Sequence, residues 1–281
     1  MLNSIQGWSQ NNLLKLLLLI ILLVLLLILI ANFLPYGIDW RTVFRPATRA
    51  IFRWKSPYSV SGYFNAPWAI IPLIPLALLP ENYGYAVLIL LSLVGFTYTA
   101  HRLGGTKIAV ILILISPPVF HSLLNGNIDA LAVIGFILPP QIGLFFILIK
   151  PQIGAAVAVY WLVEAWRKNG LREVLRTFSP ISIIFGLSLT IFGLWPLRFE
   201  QEIDLWWNAS LWPASIPVGL VLLVTAIRRR RMEFAMVASP CLSPYVLLHA
   251  WVGALLAVVS YLPETIAVVI GLWIVVLIQA I

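Results

Sequence analysis

The run from Leu16 to Ala31 is unbroken aliphatic sequence, and with its flanks it approaches the roughly 20 residues that a helix needs to cross the hydrocarbon of a bilayer. A water-soluble domain has nowhere to put such a segment. It is longer than the roughly 7–15 apolar residues of a secretory signal core, and no convincing small-residue cleavage site follows it. A retained transmembrane helix is therefore expected over 13–34.

The remainder continues in the same manner. Of 281 residues, 62% are hydrophobic and 10% charged, against about 25% charged in a typical soluble domain, and the mean hydropathy is +1.01. The chain reads as one membrane domain, 1–281, made of the first helix (13–34), a polar loop carrying an interfacial helix (35–67) and a helical bundle (68–281). Further apolar segments are expected at Trp68–Leu79, Tyr83–Ala100, Ile108–Val119, Ile128–Leu138, Ile142–Ile149, Ile153–Trp166, Ile181–Trp195, Ile216–Ile227, Phe234–Leu242, Tyr245–Leu262 and Thr265–Ile281. Several are too short to cross alone, and prolines such as Pro117, Pro118, Pro139, Pro140 and Pro151 cut them. Broken membrane helices persist only where protein or a wet cavity satisfies their backbone groups. The expected fold is an all-α polytopic integral membrane protein: a bundle around a cavity, with roughly nine to eleven crossings.

The net charge of +8 is carried by short basic clusters between apolar runs, which favours membrane lipid phosphates over nucleic acid as the anionic partner. Arg167, Lys168, Arg172 and Arg176 form one cluster and Arg228 to Arg231 another, and both are expected in the cytoplasm. The hairpin between them, with Glu200, Glu202, Asp204, Trp206, Trp207 and Trp212, is then extracytoplasmic. The first loop holds Arg41, Arg45, Arg49, Arg53 and Lys55 against Asp39, so charge alone would place it inside. It lies outside if Trp68–Leu79 is a re-entrant or surface helix. The lone cysteine, Cys241, excludes an internal disulfide and reads as a small packed residue.

The four arginines recur at every fourth position, giving a basic stripe on a helix in the headgroup layer, with Phe44, Ile51 and Trp54 as apolar contacts and regular helix starting near Pro46. Attraction to anionic lipid and recognition of a substrate phosphate both suit that stripe. Ten carboxylates serve as candidates for a general base. Glu164, Glu173 and Glu233 adjoin basic clusters that they can pair with, Glu200, Glu202 and Asp204 share the hairpin, and Glu81 and Glu264 follow prolines at helix ends. Asp39 and Asp129 remain. Asp39 emerges directly after the first span, where a lipid-held headgroup would meet an aqueous acceptor; it serves equally as an N-cap for the next helix. Lys150, between two apolar segments, costs about 2.5–3.5 kcal/mol at a bilayer centre, so it either snorkels to the interface or binds an anionic group. His121 and His249 suit helix–helix hydrogen bonds or a site. No metal-ligand spacing, Gly-rich phosphate loop or nucleophile elbow is present in the sequence.

Several short motifs occur in order. Asp39-Trp40 follows the first span, then come Ser56-Pro57-Tyr58, Phe64-Asn65-Ala66-Pro67-Trp68 and Pro75-Leu76-Ala77-Leu78-Leu79-Pro80. Asn125-Gly126-Asn127-Ile128-Asp129, Lys150-Pro151, and Ser243-Pro244-Tyr245 with His249 follow. Together they resemble the polyprenyl-phosphate-mannose-dependent glycosyltransferases of the GT-C type, family 87, with Asn127 in place of a glutamine and a chain short for the family. The resemblance implies a GT-C-like bundle and inverting transfer of a hexose, commonly mannose, from a polyprenyl-phosphate donor to a glycolipid or glycan acceptor hydroxyl on the extracytoplasmic side of the cell membrane. It implies no cofactor and no metal. By the same resemblance Asp39 is the base, and Arg45, Arg49, Tyr58, Asn65, Asn127, Lys150 and His249 are the substrate-binding residues. A lipid or small-molecule transporter or flippase is the alternative, since it too needs a cavity, broken helices and a buried lysine.

Overall fold

The structure is a computed structural model describing residues 10–34, 37–202 and 208–279, and every regular element among them is helical. The first helix, α1 (Gln10–Phe33), stands almost wholly outside the protein core. Among its described side chains only Ala31 is buried, and Ile30 packs beside it against the core, so most of the aliphatic surface faces outward, as contact with the acyl chains of a bilayer requires. Among the described residues three helices are long and apolar enough to cross a membrane: α1 over Asn12–Phe33, Glu81–Arg102 and Pro151–Phe192. The bent pair Lys107–Leu114 and Pro117–Asn125, angled by 52°, makes a fourth if it counts as one broken span.

After α1 the chain forms a π-helical turn, Trp40–Phe44, that runs into α2 (Arg45–Ile51). Pro46 explains the junction. It carries no N–H for the carbonyl one α-turn back, and the Arg45 N–H reaches Trp40 O in the wider π register. Regular α-helix thus starts at the proline, as expected. Trp40, Phe44, Ala47 and Ala50 face the core. Trp54, expected as an apolar contact of a helix in the headgroup layer, is 99% exposed at a left-handed turn after the helix. Arg41 and Arg45 both pair with Glu81 at 3.2 Å, fastening this segment to the start of the helix that Glu81 opens.

A 3-10 stretch, Pro67–Leu73, and α3 (Ile74–Leu78) follow. Together they are too short for a crossing, which suits the re-entrant or surface reading of Trp68–Leu79. α4 (Glu81–Arg102) is a single long span. α5 (Lys107–Leu114) and α6 (Pro117–Asn125) are separated at Ser116-Pro117-Pro118. α7 (Asp129–Ile134) and α8 (Pro140–Ile147) are short because Pro139 and Pro140 intervene. Gly135 and Gly143 let them touch backbone to backbone, since a Cβ on Gly143 would lie 2.5 Å from the Gly135 carbonyl.

α9 (Pro151–Phe192) covers the expected segment Ile153–Trp166 with its first arm and most of Ile181–Trp195 with its second, which starts earlier than expected. It is two arms joined through non-helical backbone at Asn169 and Gly170, with Pro180 inside the second arm. α10 (Ile216–Arg229), α11 (Met232–Cys241), α12 (Val252–Leu256) and α13 (Leu262–Gln279) complete the bundle. The expected segment Tyr245–Leu262 is not one helix. Val246 donates its N–H to Asn208 Oδ1 and accepts at its carbonyl from Ala209, which holds the chain extended until the 3-10 turn Leu248–Trp251. Cys241 is buried, as its type suggests.

The basic clusters are partly paired locally: Glu164 pairs with Arg167 at 2.7 Å, Glu173 with Lys168 at 2.9 Å and Glu233 with Arg231 at 3.2 Å. Arg167 also donates to the Ile227 carbonyl, so the two clusters meet at one end of the molecule. There they line a shallow cavity of about 470 Å³ with Trp161 and Arg230. Asp204, Trp206 and Trp207 of the expected hairpin lie outside the described residues.

Gly126 caps α6 at φ 68°, and a Cβ there would lie 2.7 Å from the Trp40 Cβ and 2.9 Å from the Tyr85 ring. Gly126→Ala is expected to destabilise the protein by about 1–2 kcal/mol from the left-handed backbone alone, and by more through the clash. Thermal unfolding of the purified protein in detergent measures this. An unchanged midpoint would contradict the packing at this corner.

A candidate active site at the helix breaks

A cavity of about 620 Å³ opens beside the π-turn, and five of the sequence-predicted residues line it: Asp39, Asn65, Asn127, Lys150 and His249. Apart from Asn65, each comes from a helix end or break. Asp39 immediately precedes the π-turn. Asn127 follows the Gly126 cap, whose left-handed conformation turns the chain back toward the cavity. Lys150 is the extended N-cap residue of α9, and His249 sits on the 3-10 turn before α12. Backbone that leaves helical geometry at membrane depth is tolerated where it lines a cavity.

The polar side chains interlock. Lys150 Nζ donates to Asp129 Oδ1 at 2.7 Å and makes a short contact with Asn127 Oδ1. Asp129 Oδ2 lies 2.9 Å from His249 Nδ1 and accepts from Ser122 Oγ at 2.7 Å. Asn127 Nδ2 donates to Asp39 Oδ2 at 2.6 Å and lies 3.1 Å from His249 Nε2, while Asn127 Oδ1 also accepts from the Ile128 N–H. Lys150, Asp129 and His249 are each at most 3% exposed. Asp39 stays partly open to the cavity, so a carboxylate at its mouth is anchored by one oxygen.

The other three expected residues lie elsewhere. Arg45 bonds to Glu81 and to the Leu79 carbonyl, and neither it nor Arg49 lines the cavity. Arg49 is exposed on α2. Tyr58 stands behind the wall, donating to the Asn65 carbonyl at 2.9 Å, stacked on Trp195 and covered by the Arg198 guanidinium. Burial pushes the Tyr58 phenol well above its ordinary value, against the smaller opposing pull of Arg198, so it remains a donor to that carbonyl.

Asp129, to which the sequence motifs give no role of its own, holds the centre. Its signal lies in the charge pattern: Asp129 and Lys150 are the only Asp, Glu, Lys or Arg residues between Lys107 and Glu164, and opposite charges isolated in apolar sequence must find each other. His121, stacked on His249 with ring centroids 5.5 Å apart, and Gln152 also line the cavity. The sequence singles out His121 beside the Asn125-Gly126-Asn127 motif, whereas no local motif marks Gln152. Among the described residues no group of three or more His, Cys, Asp or Glu side chains is placed to hold a metal ion.

No family model, no curated protein and no solved structure matches this chain.

Lys150→Met leaves Asp129 charged and buried without its ammonium, and is expected to cost about 3–5 kcal/mol, as breaking a buried pair does. Lys150→Met combined with Asp129→Leu should recover most of that loss. Denaturant or thermal midpoints of the three proteins test it, and equal midpoints for both variants would refute the pairing.

Proposed function

We propose that this protein is an integral membrane glycosyltransferase that moves a hexose, with mannose the first candidate, from a polyprenyl-phosphate donor to an acceptor hydroxyl. The observation that carries the reading is Asp39 at a cavity mouth, with one oxygen tied to Asn127 and a buried ammonium, Lys150, next along the chain of hydrogen bonds. Asp39 takes the acceptor proton as the bond from the sugar's anomeric carbon to the phosphate oxygen breaks. Lys150 supports the departing phosphate by its charge, and His249 completes that polar wall. The apolar residues Ile38, Val43, Leu247 and Leu248 beside them suit the carrier's hydrocarbon. The ordered motifs resembling family 87 point the same way.

In this reading the fold is a GT-C-like bundle, and the short helices stack end to end to complete roughly nine to eleven crossings. From Lys150 to Arg167 the first arm of α9 rises about 25 Å at 1.5 Å per residue, close to the thickness of the hydrocarbon core. With the basic clusters in the cytoplasm, the Asp39 cavity opens extracytoplasmically. Carriage of an anionic lipid without chemistry would use the same cavity, and an activity assay separates the two.

Purified protein given polyprenyl-phosphate-mannose and a panel of glycolipid acceptors should release polyprenyl phosphate and glycosylated acceptor in equal amounts. Asp39→Asn should lower kcat by about 10²–10⁴-fold, the usual contribution of a general base. Transfer undiminished by that substitution would exclude the mechanism.

Lys55 is exposed on the first loop, while the natural Cys241 is buried. In a Cys241→Ser background, Lys55→Cys should react with a membrane-impermeant maleimide applied to intact cells. Labelling only after the cells are opened would reverse the orientation.

A further inference from the structure

The hydrogen bonds around Asn127 admit one arrangement of protons. Asn127 Oδ1 accepts from the Ile128 N–H and from Lys150, so Nδ2 is the atom facing Asp39 Oδ2 and His249 Nε2. An amide nitrogen only donates. His249 Nε2 must therefore accept, which leaves the imidazole proton on Nδ1, pointing at Asp129 Oδ2. Reversing the Asn127 amide would set its oxygen 2.6 Å from the Asp39 carboxylate oxygen and its nitrogen against the ammonium, both repulsive. The contact of Lys150 Nζ with His249 Nδ1 at 3.5 Å is then between two donors and binds nothing.

We propose that Asp129 is the positioning residue of this site: by accepting from Lys150 on one oxygen and from His249 Nδ1–H on the other, it fixes the imidazole tautomer whose Nε2 accepts from the Asn127 amide that also holds Asp39. No motif in the sequence assigns it that role. Its catalytic consequence rests on the transferase reading; its proton arrangement does not.

Asp129→Asn turns this logic into a test. The substituted side chain has one oxygen and one NH₂ group, and the ammonium takes the oxygen. The NH₂ then faces His249 Nδ1 as a donor and drives the ring proton to Nε2, where it opposes the Asn127 amide. With Lys150→Met added, the new amide oxygen is released to face His249 and the original tautomer returns. A purely structural role for Asp129 predicts neither the reversal nor the recovery.

The experiment is ¹⁵N NMR of the full-length protein in lipid nanodiscs, labelled at histidine, with His249→Gln to assign the His249 signals. The expected result is an Nδ1–H tautomer in the wild type, an Nε2–H tautomer in Asp129→Asn and Nδ1–H again in Asp129→Asn/Lys150→Met. An Nε2–H tautomer in the wild type would overturn the proposal, and so would a tautomer unmoved by Asp129→Asn. The wild-type spectrum decides even if the single variant does not fold. Where the wild type transfers sugar, Asp129→Asn should reduce kcat about tenfold or more with little change in the donor KM, since a wrong imidazole tautomer alone can cost up to about 10⁴ in kcat. A wild type that shows Nδ1–H but transfers nothing would sink the transferase reading and leave this inference standing.

Discussion

One ion pair, Lys150 with Asp129 at 2.7 Å and both nearly inaccessible, sets the terms for the rest of the structure. Either charge alone would cost several kcal/mol in a greasy interior, and their attraction offsets that cost only with good geometry and every remaining proton and lone pair occupied. Lys150 is placed still more unfavourably, because a cation at the N-terminus of the first arm of α9 opposes the helix dipole there. The surroundings answer each demand. Ser122 and His249 take the second oxygen of Asp129, and Asn127 takes a further proton of Lys150. The bond to His249 joins residues far apart in sequence, so α6, α7, α9 and the turn before α12 must arrive in register together.

A buried pair of this kind contributes little net stability compared with well-packed apolar side chains. Its consequence is geometric. Asn127 cannot reach both Asp39 and Lys150 unless Gly126 turns left-handed against Trp40 and Tyr85. Trp40 in turn donates from its indole N–H to the Glu81 carbonyl, the same residue whose carboxylate gathers Arg41 and Arg45. Two of the stripe arginines are thereby committed to holding the π-turn that presents Asp39. The periodicity that suggests phosphate recognition serves, for these two, to brace the loop.

What the sequence reveals follows the range of the physics involved. The aliphatic run of α1 is a property of adjacent residues, and its helix lies within a few positions of the expected 13–34. Local turn chemistry is equally legible at Pro46 and at the breaks around Pro117 and Pro139. The extended stretch 245–247 is not, because Asn208 and Ala209, distant in sequence, decide it. The same division runs through the site. Asp39, Asn127 and Lys150 stand out as polar residues at the edges of apolar runs, and His249 as one inside such a run. Asp129 reads as a second candidate base until Lys150 supplies another reason for it, and Tyr58 reads as a ligand though its hydroxyl donates to the Asn65 carbonyl.

Helix breaks and polar residues are two sides of one constraint in this chain. A backbone interrupted inside a bilayer exposes N–H and C=O groups that lipid cannot satisfy. Asn127 Oδ1 takes the Ile128 N–H at the break between α6 and α7, and Asn208 takes the Val246 N–H where the last apolar region opens. Side chains that satisfy broken backbone are already polar and already buried, so the further step to a reactive constellation is short. α1 marks the other limit. Its apolar run is continuous and needs no such partners, so it offers the interior almost nothing except the place where it ends, and there the chain sets Asp39.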